Sequence, residues 1–153
     1  MPSNHSIHPT TLNDNAFADH IDIDDVTHFL LELDALKRVN RRSYVTQTTR
    51  RENSAEHSWH LAMACWSIAE LFVLDVNHEQ LLKMTLVHDL GEIDAGDTFL
   101  YDNTRHTAHI EERQGMARLQ AERGNGIANL AAVWEAQETG CLLYTSPSPR
   151  DRG

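Results

Sequence analysis

The stretch His78-Glu79-Gln80-Leu81-Leu82-Lys83-Met84-Thr85-Leu86-Val87-His88-Asp89-Leu90-Gly91-Glu92 decides how this chain is read. Leu81, Leu82, Met84, Leu86 and Val87 predict a packed helix over 78–90. Two ionisable residues sit at its end. An adjacent His and Asp offer nitrogen and oxygen ligands to one divalent cation. On a helix they point about 100° apart, yet both can reach an ion at the helix edge. Glu92, four residues after His88, shares that face if the helix persists. Gly96 lets the chain turn back at Asp97. Taken singly, each residue has a plainer reading, since a His-Asp dipeptide is common and ten histidines are scattered along the chain.

Upstream, Asp75-Val76-Asn77 reads as a turn. Before it, Leu61, Ala64, Cys65, Ile68, Leu71 and Phe72 predict a second helix, from Asn53 or Ser54 to about Leu74. Ser54 offers a capping oxygen, without a Glu three residues on. His57 opens this helix. Two antiparallel helices joined by a short turn would set the first turn of one beside the last turn of the other, bringing His57 to His88-Asp89. His60, one turn further, competes with His57 as a ligand. His5, His8, His20, His78, His106 and His109 read as surface.

Further out, Val26, Phe29, Leu30, Leu33 and Leu36 form an apolar stripe for a helix from Asp24 to about Val39, started by Asp22, Asp24 and Asp25. Helices are also expected over 107–122 and 127–137, separated by Gly124-Asn125-Gly126. No strand alternation stands out, so the domain reads as all-α. Residues 1–20 read as a polar, flexible leader, and the domain as residues 21–140. Residues 141–153, Cys141-Leu142-Leu143-Tyr144-Thr145-Ser146-Pro147-Ser148-Pro149-Arg150-Asp151-Arg152-Gly153, do not fit this pattern. They resemble a translated sequencing adapter and are expected to be an artefactual tail.

The 153-residue chain suits one domain. Its two cysteines argue against a disulfide framework and fit a reducing cytoplasm. There is no apolar run long enough for a membrane span. A net charge of −10 disfavours nucleic acid as a partner. Against it, Lys37, Arg38, Arg41, Arg42, Arg50 and Arg51 form a basic segment that no acidic residue interrupts. It is expected as a loop. It suits a small anionic ligand, or else is a solvated surface strip.

The ordered runs Glu52-Asn53-Ser54-Ala55-Glu56-His57-Ser58, Leu86-Val87-His88-Asp89-Leu90-Gly91-Glu92 and Ala95-Gly96-Asp97, with Leu36-Lys37-Arg38-Val39-Asn40-Arg41 before them, resemble the HD-domain superfamily. More narrowly, they resemble its 5′-deoxynucleotidases. The similarity covers about residues 24–138. It implies an HD-domain helical bundle that removes phosphate from deoxynucleoside 5′-monophosphates. It implies His57, His88 and Asp89 as ligands of a divalent cation (Mn²⁺, Co²⁺ or Mg²⁺). Glu92 and Asp97 would stand near the attacking water and substrate, and Arg41 would contact the substrate. A nucleotide is then the small-molecule partner, and the full-length protein is expected as a homodimer. Other HD phosphohydrolases act on other nucleotides, and a non-catalytic, metal-stabilised helical protein is the alternative of a different class.

Two positions depart from the family pattern. Arg42 stands where part of the family has an aromatic residue, and Tyr44 where relatives have Trp. The family's fourth metal ligand is an Asp on a later helix, whereas here no Asp lies between Asp102 and Gly140. The bundle is therefore expected to be incomplete at its C-terminal end, with weaker metal binding, poor activity and a tendency to associate.

Overall fold

Asn53 closes a capping box with Glu56: Asn53 Oδ1 accepts from the Glu56 N–H, and Glu56 Oε2 accepts from the Asn53 N–H. That box starts the long helix that carries His57. The sequence offers Ser54 as the capping oxygen, with the helix starting at Asn53 or Ser54. With Asn53 as the cap, the glutamate falls three residues on, as the box requires. The computed structural model describes residues 22–96 and 105–140. The leader, Asp97 and residues 141–153 lie outside the described residues.

In chain order the elements are α1 (Ile23–Asp34), a 3-10 turn (Ala35–Arg38), β1 (Asn40–Tyr44), β2 (Arg51–Asn53), α2 (Ser54–Leu71), α3 (His78–Val87), a short α4 (Glu92–Ala95), α5 (Arg105–Ala121) and α6 (Leu130–Glu138). The all-α reading stands. Several ends differ from expectation. The first helix tightens into the 3-10 turn after Asp34, and α3 stops at Val87, so His88 and Asp89 lie just beyond it. Leu30, expected on the packed stripe of α1, is exposed, while Phe29 is buried.

The basic segment is a loop only over residues 45–50. Asn40 pairs with Asn53 and Tyr44 with Arg51 in an antiparallel hairpin, with an irregularity between these pairs. A bulge of this kind bends a strand and re-aims its side chains. Four of the five β1 residues are exposed, so the strand buries no apolar face and leaves no alternation to read. Its tip is closed by backbone bonds from the Val45 N–H to Arg50 O and from the Thr48 N–H to Val45 O.

The core gathers Phe29, Leu36, Val87, Leu90, Met116, Leu119, Leu130 and Trp134. Val87 and Leu90 flank His88 and Asp89, so the polar pair is pinned between two core residues. Glycines allow two close approaches under this corner. A Cβ on Gly91 would stand 2.8 Å from Glu112 Cβ, and one on Gly115 would stand 3.2 Å from Asp94 Cβ. Arg118 on α5 completes the contact, donating to both Asp94 oxygens and to Glu32 of α1. These bonds raise its pKa above the ordinary arginine value, the Asp94 hydrogen bond most of all. No helix among the described residues is long and apolar enough to cross a membrane.

Candidate metal centre

A ring nitrogen of His57, a ring nitrogen of His88 and a carboxylate oxygen of Asp89 lie within 4.8 Å of one another. The first turn of α2 meets the residues just past α3, and the two imidazoles sit edge to face with centroids 5.4 Å apart. His88 Nδ1 lies 2.6 Å from the Thr85 carbonyl oxygen. With Nδ1–H donating there, the lone pair falls on Nε2, which is 3.3 Å from Asp89 Oδ2. Burial pushes the His57 imidazole below its ordinary pKa, and the Arg41 charge adds to this while Asp89 pulls the other way. A neutral imidazole is the form that binds a metal. Two nitrogens and one carboxylate oxygen suit a borderline divalent cation and leave positions open for water or substrate. The residues present therefore fit such an ion.

Arg41 is drawn into this group from β1. Its Nη1 donates to Asp89 Oδ2 at 3.4 Å, and its Nε lies 3.3 Å from Glu52 Oε1. That Nε is buried and finds no well-aimed hydrogen bond, so its contact with Glu52 is an ion pair. The other basic residues are mostly engaged elsewhere. Lys37 and Arg38 pair with Asp34, Arg50 with Glu56, and Arg51 donates to the carbonyls of Arg41 and Arg42. Arg41 is thus the basic residue that the hairpin directs at the triad, while Arg51 holds the hairpin itself.

Glu92 stands at the start of α4, where its Oε2 accepts from the buried Ser54 hydroxyl at 2.9 Å. His60, the rival ligand, is exposed and stacks on Trp59 outside the triad. With Ser43, Tyr44 and Glu52 it lines an open groove of about 780 Å³ beneath the hairpin.

The sequence assigns no role to Glu52, Thr85 or Glu112, and reads Ser54 only as a helix cap. Glu52, Ser54 and Glu112 act through contacts between elements, and Thr85 through its backbone carbonyl, neither of which periodicity reports. Glu112 is half-buried against Gly91. Burial, then the charges of Glu138, Glu92 and Asp89, push its carboxyl up to about 7. Below the unfolded-state value near 4.5, both states are protonated and nothing is lost. Between there and about 7 the unfolded chain ionises first, so stability falls as pH rises. Glu112→Gln removes that loss. We expect the metal-free variant to gain about 1 kcal/mol on the wild type between pH 4.5 and 8, after discounting for solvent screening. Urea unfolding at both pH values in EDTA checks this; an equal gap at the two would contradict it.

The HD-domain family model matches residues 33–140. This chain belongs to the HD-domain family. A 5′-deoxynucleotidase of Danio rerio is 28% identical over 120 residues, covering 76% of this chain and 58% of the relative. The 5′-deoxynucleotidase YfbR of Escherichia coli is 33% identical over 75 residues, covering 46% of this chain and 37% of that one. The crystal structure of a protein described as a predicted metal-dependent phosphohydrolase, from Magnetospirillum magnetotacticum, superposes with a TM-score of 0.62 at 36% identity. It covers 76% of this chain and 60% of the other. The chain thus spans about three fifths of the length of the Danio rerio relative and of the Magnetospirillum magnetotacticum protein.

Proposed function

We propose that this HD domain hydrolyses phosphomonoesters with the help of a divalent cation, and that its substrates are deoxynucleoside 5′-monophosphates. The observation that carries the reading is the convergence of His57, His88 and Asp89 within 4.8 Å, with the Arg41 guanidinium 3.4 Å from Asp89. Cation ligands and a fork-shaped anion donor side by side suit a phosphate group. The deoxynucleotide preference rests on the relatives named above and on the motifs shared with them.

His57, His88 and Asp89 would hold the cation, which supplies Lewis acidity toward a phosphoryl oxygen and acidifies a water. Arg41 grips the phosphate oxygens. Glu92, steadied by Ser54, orients the water and takes its proton. Asp97 would share that task. The groove starting at Glu52 has the size of small-molecule sites and leaves room for the nucleoside.

The test is phosphate release from a panel of deoxynucleoside and ribonucleoside 5′-monophosphates with Mn²⁺, Co²⁺ or Mg²⁺. Turnover of the deoxy series is expected, with Glu92→Gln at least about 100-fold slower. Release from ribonucleotides alone would overturn the substrate assignment. Bound metal with no turnover on any phosphomonoester would overturn the enzymatic one.

A further inference from the structure

We propose that Glu52 is a positioning residue, whose single carboxylate oxygen ties the histidine of the metal group to the arginine that grips phosphate. The inference rests on the reading of the site given above, but its first test is independent of turnover.

Three side chains converge on Glu52 Oε1. Arg41 Nε lies at 3.3 Å and His57 Nδ1 at 3.5 Å, while Ser43 Oγ donates at 3.4 Å. The setting strengthens these contacts: the side chains of Glu52, His57 and Arg41 are only 17%, 24% and 31% exposed. The contacts also close a circuit. Glu52 joins His57 to Arg41, Arg41 joins Glu52 to Asp89, and Asp89 lies against His88, whose ring meets that of His57.

Two consequences follow from ordinary histidine and arginine chemistry. A carboxylate at Nδ1 fixes the tautomer with its proton there. It orients the ring and makes Nε2 the more basic ligand atom. His88 receives the corresponding service from the Thr85 carbonyl. The same oxygen anchors Arg41 by its Nε edge, so the guanidinium swings little and its Nη1 stays on Asp89. Neither partner sits on Glu52's own strand: Arg41 is on β1 and His57 on α2. Glu52, on β2, is where the hairpin and the long helix are brought into register with each other. Cation affinity and anion affinity should therefore fall together when its charge is removed.

The test is Glu52→Gln, which keeps size and shape and removes the charge. Mn²⁺ binding is measured by calorimetry and electron paramagnetic resonance, then inorganic phosphate binding at saturating Mn²⁺. We expect Mn²⁺ affinity to fall by about 10–100-fold, phosphate affinity to fall as well, and the thermal midpoint without metal to stay near the wild-type value. In contrast, Arg41→Ala should weaken phosphate and leave Mn²⁺ affinity within a few fold, because Glu52 still holds His57. Ser43→Ala, which only loosens the carboxylate, should give a smaller Mn²⁺ loss and keeps the proposal testable if Glu52→Gln fails to fold. Glu52→Asp should recover part of the Mn²⁺ affinity.

Wild-type Mn²⁺ affinity in Glu52→Gln would overturn the proposal, as would a wild-type chain that binds no Mn²⁺. An affinity loss matched by an equal loss in Glu52→Asp and a large drop in thermal midpoint would make Glu52 merely structural, and would overturn it too. A chain that binds Mn²⁺ in a Glu52-dependent way but turns over no phosphomonoester would instead sink the function proposed above and leave this inference standing.

Discussion

Replacing Asp89 by asparagine is expected to cut phosphomonoester hydrolysis at least about a thousandfold, which corresponds to about 4 kcal/mol of transition-state stabilisation. The size follows from the two jobs that meet on one carboxylate. Asp89 is the anionic member of the triad, so its loss removes the largest part of the field that would hold a divalent cation. It is also the partner of Arg41 Nη1 at 3.4 Å. An asparagine keeps the volume and can accept a hydrogen bond, but supplies no charge to either. Because Asp89 is 9% exposed and flanked by a core leucine, water cannot make up the deficit. Two measurements together check this. Phosphate release reads the rate, and Mn²⁺-dependent thermal shift reads occupancy, since a ligand at a hundred times its Kd raises stability by about 2.7 kcal/mol. The variant should lose both while still unfolding cooperatively without metal. A rate within tenfold of wild type would remove Asp89 from the site.

What made Asp89 legible in the sequence was its position at the end of an apolar run. Leu81 to Leu90 could only be a packed helix and its exit, so a His-Asp pair there had to be polar at the edge of a core. His57 was legible for the same reason, one cap and one turn into the next long apolar stretch. The hairpin was not legible. β1 is exposed along nearly its whole length and is held by its ladder, its bulge and the bonds from Arg51 to backbone carbonyls. None of these leaves a period. The basic run left open either an anionic ligand or a solvated strip; the fold uses most of it for local ion pairs and aims Arg41 inward.

Glu52 and Glu112 were hidden in a different way. One looks like the end of a basic run and the other like part of a charged helix face. Their surroundings come from residues on other elements, Arg41 and His57 for one, Glu92 and Asp89 for the other. The pairing of β1 with β2, the packing of β2 on α2 and that of α5 on α4 bring those groups together. The same packing lets an acidic chain present a local cationic group beside the candidate site. The carboxylates of the site face cationic groups on one side, and the neighbouring surface acids are spent on Arg118, Arg113 and Lys37.

The site depends on a core that lies beneath it, which gives the other large expected effect. Trp134→Ala should destabilise the domain by about 3–5 kcal/mol, a large part of the 5–15 kcal/mol typical of a whole domain. Trp134 is 1% exposed and belongs to the cluster that includes Val87 and Leu90, the residues on either side of His88-Asp89. Its ring stacks on His109 at 5.5 Å, joining α6 to α5. Truncation would open a cavity between α5, α6 and the end of α3, and the exit turn carrying both ligands would lose its backing. Mn²⁺ affinity should therefore fall along with the urea midpoint, although Trp134 touches no ligand. Trp134→Phe separates volume from polarity. The indole Nε1 has no hydrogen-bond partner among the described residues, so phenylalanine forfeits no buried bond there and should cost only about 1–2 kcal/mol with metal affinity kept. If the alanine variant unfolds within 1 kcal/mol of wild type, or keeps full Mn²⁺ affinity while strongly destabilised, then the ligand pair is held by its own turn rather than by the core under it.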